Sequence, residues 1–373
     1  MQSNRLIVCG LFLTAGIGSL PLKAALTPDE GSGLFVTGTV QEQYNDNLFL
    51  RTNNAVSDYV TTLTPGLEFD FGNTAQTQGT IIYQEAFSLY DKETAQNSSL
   101  ANLTANVNYN NDRTKGSINA SYVELASNGV GLRNSNELIR RDLTDVGAKG
   151  ELALTEKTSL GVGGDFSRTF YKVPGSANTA VYALPVDVYS KMAPDVDASL
   201  DLRFRETDFS TNIPNYQDIF IGVGSRGQFT EKFSGQFSIG ASRRHWNGGE
   251  NQWLPGGSAN FTYIVSPKTT IQLGASDDFN SSIIGSSQKI LSGWVGATTN
   301  FEYGFSANAR FTYENVNYRT GGRENDWQGT LGVHYQVNKH VSFQVAYSYE
   351  KDNTNSGSDY TQNIVSVSGT LKF

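Results

Sequence analysis

The residues able to do chemistry in this chain are few and poorly grouped for catalysis. Gly222-Val223-Gly224-Ser225-Arg226-Gly227 has the spacing of a dinucleotide-binding glycine loop. That loop works only between a strand and a helix, where backbone N–H groups face a pyrophosphate. Here apolar and polar residues alternate straight through it, so its glycines read as wall residues of a strand. The three histidines, His245, His334 and His340, are scattered, and no Ser/His/Asp order stands out as a nucleophilic triad. With Cys9 the only cysteine, there is no metal-ligand cluster. Asp277-Asp278 lacks the spacing of a calcium loop. The residues therefore indicate no catalytic group, no metal site and no cofactor.

Charge at regular positions is what the chain does carry. Glu68, Asp70, Asp145, Lys149, Glu151, Asp165, Asp201, Arg203, Arg205, Arg226, Arg244, Asp278, Arg310 and Glu314 all fall on the polar positions of alternating segments. Tyr90, Tyr171, Phe220 and Trp294 share that side. Arg203, Arg205, Arg226 and Arg244 come from three neighbouring segments. Two roles are open to them: a basic strip lining an aqueous lumen, or pairing with carboxylates to hold a wall together. The four aromatics could stack on sugar rings or pack against a folded loop.

The segments that position these residues have period two. In Val341-Ser342-Phe343-Gln344-Val345-Ala346-Tyr347-Ser348-Tyr349 every odd residue is apolar, and Phe305–Tyr313 and Leu103–Tyr109 repeat the pattern. Successive strand side chains point to opposite faces, so each segment has one apolar and one polar face. Short turns (111–113, 155–157, 194–195, 231–232, 267–268, 338–339) alternate with longer ones. Counting the runs between them predicts about eighteen strands, with sixteen the next possibility, joined as a meander of hairpins.

Composition narrows the class. The 373 residues are 38% hydrophobic and 17% charged, with 38 Gly, 18 Tyr, 21 Phe and a net charge of −8. Helical membrane bundles need repeated apolar runs of about 20 residues, and only Leu6–Leu22 approaches one. The acidic balance gives no footprint for nucleic acid. Arg5, the apolar run and the small residues Ala24 and Ala25 have the layout of a secretory signal peptide over residues 1–24. A short periplasmic tail over 25–33 and a single domain over 34–373 would follow. An evenly spread apolar face over so many hairpins fits an all-β, antiparallel up-and-down transmembrane barrel, with lipid outside and water inside. Aromatics near the strand ends, among them Trp246 and Phe279 on the long-loop side, are expected as interface girdles. Eighteen tilted strands give a backbone diameter of roughly 35–40 Å, and no long loop suggests a constriction. Glu85 and Arg168 depart from the pattern by falling on the apolar side.

The final strand alternates through Val365, Val367, Gly369, Leu371 and a terminal Phe373, which resembles the sorting signal of Gram-negative outer-membrane proteins. Tyr44-Asn45-Asp46-Asn47-Leu48-Phe49 and Arg203-Phe204-Arg205-Glu206-Thr207-Asp208-Phe209 give the chain its resemblance to a β-barrel porin family often encoded in exopolysaccharide operons. The resemblance implies a passive outer-membrane conduit for exopolysaccharide. Its partners would be outer-membrane lipid, the barrel-assembly machinery, periplasmic polysaccharide-export components and the polysaccharide itself. A diffusion porin for small hydrophilic solutes and a non-conducting structural or adhesive barrel are the alternatives. The resemblance brings no catalytic residues.

Overall fold

The computed structural model describes residues 32–72, 75–128, 136–211, 213–247, 249, 251–282, 285–319, 321–355 and 359–373. The expected signal peptide and nearly all of the short tail lie outside them. Eighteen strands follow in chain order. The first nine are β1 (Gly33–Asn45), β2 (Asp58–Phe71), β3 (Thr77–Tyr90), β4 (Ser98–Asn110), β5 (Thr114–Ala126), β6 (Arg140–Ala153), β7 (Thr158–Tyr171), β8 (Thr179–Ala193) and β9 (Val196–Phe209). The second nine are β10 (Tyr216–Thr230), β11 (Phe233–Trp246), β12 (Asn251–Ser266), β13 (Thr269–Ser281), β14 (Ser287–Asn300), β15 (Phe305–Tyr318), β16 (Arg323–Gln336), β17 (Val341–Thr354) and β18 (Tyr360–Lys372). The only helical element among the described residues is a 3-10 turn, Thr94–Gln96.

Each strand pairs antiparallel with its chain neighbour, and β18 returns to pair with β1 from Thr37↔Lys372 to Asn45↔Ile364. The sheet is therefore closed. Closure leaves no strand of the sheet without a partner on each side, which is the condition for placing a sheet in hydrocarbon. Inside the seam, Lys372 Nζ meets Glu68 Oε1 at 2.8 Å and lies over the Phe35 ring. β1 begins and β18 ends on the side of the short turns, as an even strand count requires.

The alternation decides which face is which. Ile219, Ile221 and Val223 of β10 are exposed, as are Val345, Val367, Leu371 and Phe373. Their neighbours on the opposite parity are half-buried or buried, Arg244 down to 1%. In the outward band Phe233 stacks on Phe261, Phe305 on Tyr335 and His340 on Phe373. Glu85 and Arg168 do face outward. Glu85 accepts hydrogen bonds from the hydroxyls of Tyr83 and Ser99, and Arg168 lies 5.4 Å over the Phe170 ring. Just beyond β7, Lys172 bridges Asp142 at 2.9 Å and Glu124 at 3.1 Å. The Asp142 carboxylate, with Glu124 behind it, raises the Lys172 ammonium above its ordinary range.

The outer mouth differs from the sequence expectation in two ways. First, a connection does fold over the mouth. Leu48, Phe49 and Leu50, between β1 and β2, are buried. Phe49 O accepts from Asn128 Nδ2 near the top of β5, and Arg51 Nη2 donates to Asn136 Oδ1 at 2.5 Å. Asn47 ties the turn by donating to the carbonyls of Arg51 and Thr361. The Asn-Asp-Asn motif thus acts as a staple that turns a short, apolar loop inward, so loop length alone hid it.

Second, the wall itself bends. β11 and β12 pair as far as His245↔Asn251, but β12 and β13 pair only below Gly257↔Asp277. Pro255 still pairs with Ala241 of β11 but has no N–H to give, so it removes a ladder bond from the β13 side. Above it β13 leans over β12: a Cβ on Gly256 would stand 2.9 Å from Asp277 O. The lean carries Phe279 inside from the outward parity of β13, whereas Trp246 shares the inward parity of Arg244 on β11; both are buried instead of girdling the outer rim. They pack against guanidinium groups, Trp246 under Arg319 and Phe279 under Arg244.

Candidate functional site: the charged lumen

The inward residues of β6 to β14 assemble two ionic clamps, one toward each end. The outer clamp is centred on Asp218 of β10, which is 2% exposed. Its Oδ2 accepts from Arg205 Nη2 at 2.6 Å and from Arg244 Nη2 at 2.7 Å, and its Oδ1 from Arg244 Nε at 2.7 Å. Arg203 and Arg205 of β9 both reach Asp278 of β13, at 2.6 and 3.0 Å. The same guanidiniums satisfy backbone that the departing β12 leaves behind. Arg205 donates to Phe279 O at 2.9 Å and Arg244 to Asn280 O at 3.0 Å. Arg244 is sandwiched, with its Cζ 3.6 Å from the Tyr216 ring centre and 4.6 Å from that of Phe279. Arg203 lies 5.4 Å over Phe220.

The inner clamp sits nearer the short turns. Arg226 of β10 holds Glu151 of β6 through two bonds of 2.6 and 2.8 Å, and Asp197 of β9 at 3.1 Å. Its Cζ lies 3.3 Å from the Tyr189 ring centre. Between Glu151 and Arg226, β7 offers Gly161 and Gly163. A Cβ there would meet Tyr189 at 3.2 Å and Pro185 at 2.9 Å, respectively. Glycine at these positions lets the β8 side chains lie across β7.

Both clamps join strands four steps apart. Four interstrand spacings make about 19 Å of wall. An arginine and one carboxylate cannot bridge that length on a flat wall, so the wall must fold between them. Charge-assisted pairs with bidentate geometry hold such a fold tightly. The lumen is accordingly much narrower along this flank than the backbone diameter suggests.

The remaining inward residues separate from the clamps. Asp201 lies beside Asp187 and Gly222 in register, and Glu314 is buried. Tyr90 is half-buried at the top of β3, and Tyr171 packs on Ile139. Arg310 stacks on Trp294 at 3.9 Å. The strip Arg203, Arg205, Arg226 and Arg244 is fully engaged with carboxylates. Of the two roles open to it from sequence, the geometry is that of wall pairing. Sequence reasoning overlooked Asp197, Asp218, Tyr189 and Tyr216. Asp218 was readable, since it shares inward parity with Phe220 and Arg226 in β10.

A closed antiparallel barrel of eighteen strands with an apolar outer band and a charged interior defines an outer-membrane β-barrel porin. The chain belongs to the family described as "Putative beta-barrel porin 2", whose model matches residues 35–373. No curated protein matches it. Among solved structures, it is similar to Pseudomonas aeruginosa OpdO (13% identity, TM-score 0.49, 92% of this chain and 98% of that one). Acinetobacter baumannii OccAB4 (12%, 0.48, 93% and 100%) and Pseudomonas aeruginosa OpdK, solved with vanillate (11%, 0.47, 91% and 99%), are also similar.

Proposed function

We propose that this porin is a passive channel for small hydrophilic solutes. The observation that carries this reading is the pair of clamps, Arg203/Arg205–Asp278 and Arg226–Glu151, each tying strands four steps apart. A folded wall and an inward β1–β2 loop leave room for small molecules and work against a polymer chain. The aromatic faces of Tyr189, Tyr216 and Trp294 are covered by guanidiniums, so they do not present open platforms for sugar rings. Export of exopolysaccharide would require both clamps to part.

Reconstitution in a planar bilayer tests conduction directly. The expected result is discrete ohmic steps in potassium chloride. A barrel that inserts yet stays silent would contradict the channel and favour a structural role.

A further inference from the structure

Arg310 differs from the four arginines of the clamps. Arg203, Arg205, Arg226 and Arg244 each hold at least one carboxylate. Arg310, on β15 beyond the strands of the two clamps, makes no ion pair among the described residues, and its buried Nε has no hydrogen-bond partner. Leaving a buried guanidinium N–H unsatisfied is costly, so its place in the wall needs a reason.

The neighbourhood is built around it. Trp294 of β14 lies flat against the wall because both strand neighbours under it are small. A Cβ on Gly274 would come within 2.3 Å of Trp294 Nε1, and one on Gly296 within 3.8 Å of Cζ3. The Arg310 guanidinium lies over this ring at 3.9 Å. A guanidinium held over an indole keeps its charge and offers its Nη groups as donors, and an arginine can take a carboxylate through two such bonds. Arg310 shares one register row with Gln272 and Thr330, separated from Gln272 by Gly296. The row above carries Gln236, Asn260, Trp294 and Thr312. A recess of about 450 Å³ opens here, lined by Gln236, Asn260, Thr262, Gln272 and Trp294. The polar side chains lining it are three amides, the Thr262 hydroxyl and the Trp294 indole, none of them charged; Arg310 adjoins the recess through Trp294, over whose ring it lies.

We propose that Arg310 on Trp294, with these amides, is a binding site for small hydroxylated carboxylates in transit through the lumen. The inference rests on the small-solute reading and names its substrate class. One guanidinium matches one carboxylate, whereas a phosphate dianion would remain half-compensated. The amides of Asn260, Gln236 and Gln272 donate to and accept from hydroxyls, which suits a sugar acid better than an apolar acid.

The test titrates the folded barrel in micelles with glucuronate, using glucose as the neutral control, and reads tryptophan fluorescence. Wild type is expected to show a saturable change with glucuronate and none with glucose. Arg310→Gln should weaken the glucuronate response by about tenfold or more while keeping the gel mobility of the folded barrel. Trp294→Phe should remove most of the signal. Equal responses to both sugars, or an unchanged response in Arg310→Gln, would overturn the site. Because fluorescence does not depend on conduction, the two readings fail separately. A silent barrel that still binds glucuronate keeps the site and removes the channel. A conducting barrel indifferent to glucuronate removes the site alone.

Discussion

Asp218→Ala lowers the stability of the folded barrel by about 3–5 kcal/mol, the cost of stranding a buried charge. Asp218 and Arg244 are 2% and 1% exposed and share two bonds of 2.7 Å. Removing the carboxylate leaves Arg244 buried with carbonyl, hydroxyl and ring contacts only, and leaves Arg205 dependent on Asp278. The measurement is the urea midpoint of the barrel in micelles, with folded gel mobility as a second readout. Adding Arg244→Met should recover most of the loss, because an apolar side chain of similar length needs no counter-charge in that slot. The exposed Lys268–Glu302 pair, at 3.0 Å, is the control. Breaking it should cost under about 1 kcal/mol. Equal effects at the two pairs would mean that the outer clamp is as solvated as the surface.

Glu151→Ala has the second large effect, on conduction. It removes the anchor on β6 while Arg226 keeps Asp197 on the adjacent strand. The tie across β7, β8 and β9 is lost, and the glycine-lined wall is free to relax outward. Single-channel conductance should rise by about twofold or more, since a wider lumen carries more ions. Glu151→Gln keeps a hydrogen-bonding group at that position, so it should fall between wild type and Glu151→Ala. Wild-type conductance in both variants would show that the inner clamp does not narrow the path.

The fold was largely legible in the sequence because a barrel writes itself in period two. Ile219, Val223 and Arg226 could be assigned to opposite faces with no knowledge of neighbours, and turn residues such as Pro194-Asp195 counted the strands. The lumen was legible only residue by residue. That Arg226 faces inward follows from parity. That it meets Glu151, 75 positions away in the chain, depends on how sharply the wall bends, and no local pattern encodes that bend. Part of the signal was present: Pro255-Gly256-Gly257 marks where β12 and β13 part, and Gly161 with Gly163 marks a stretch of wall without inward side chains. Phe279 departs from its outward parity for the same reason, since the bend carries it inside. Trp246 needs no bend: it shares the inward parity of Arg244 on β11, and only its place at a strand end suggests a girdle. The inward loop escaped because its length gave nothing away; its clue was the apolar run Leu48-Phe49-Leu50 following Asn47.

Size selection tests the central claim most directly. Liposomes bearing the wild-type barrel should swell in glucose and fail to swell in a dextran of polymer length, with Glu151→Ala shifting the cut-off upward. Entry of the dextran at a rate close to that of glucose would contradict a clamped lumen and restore the polymer conduit.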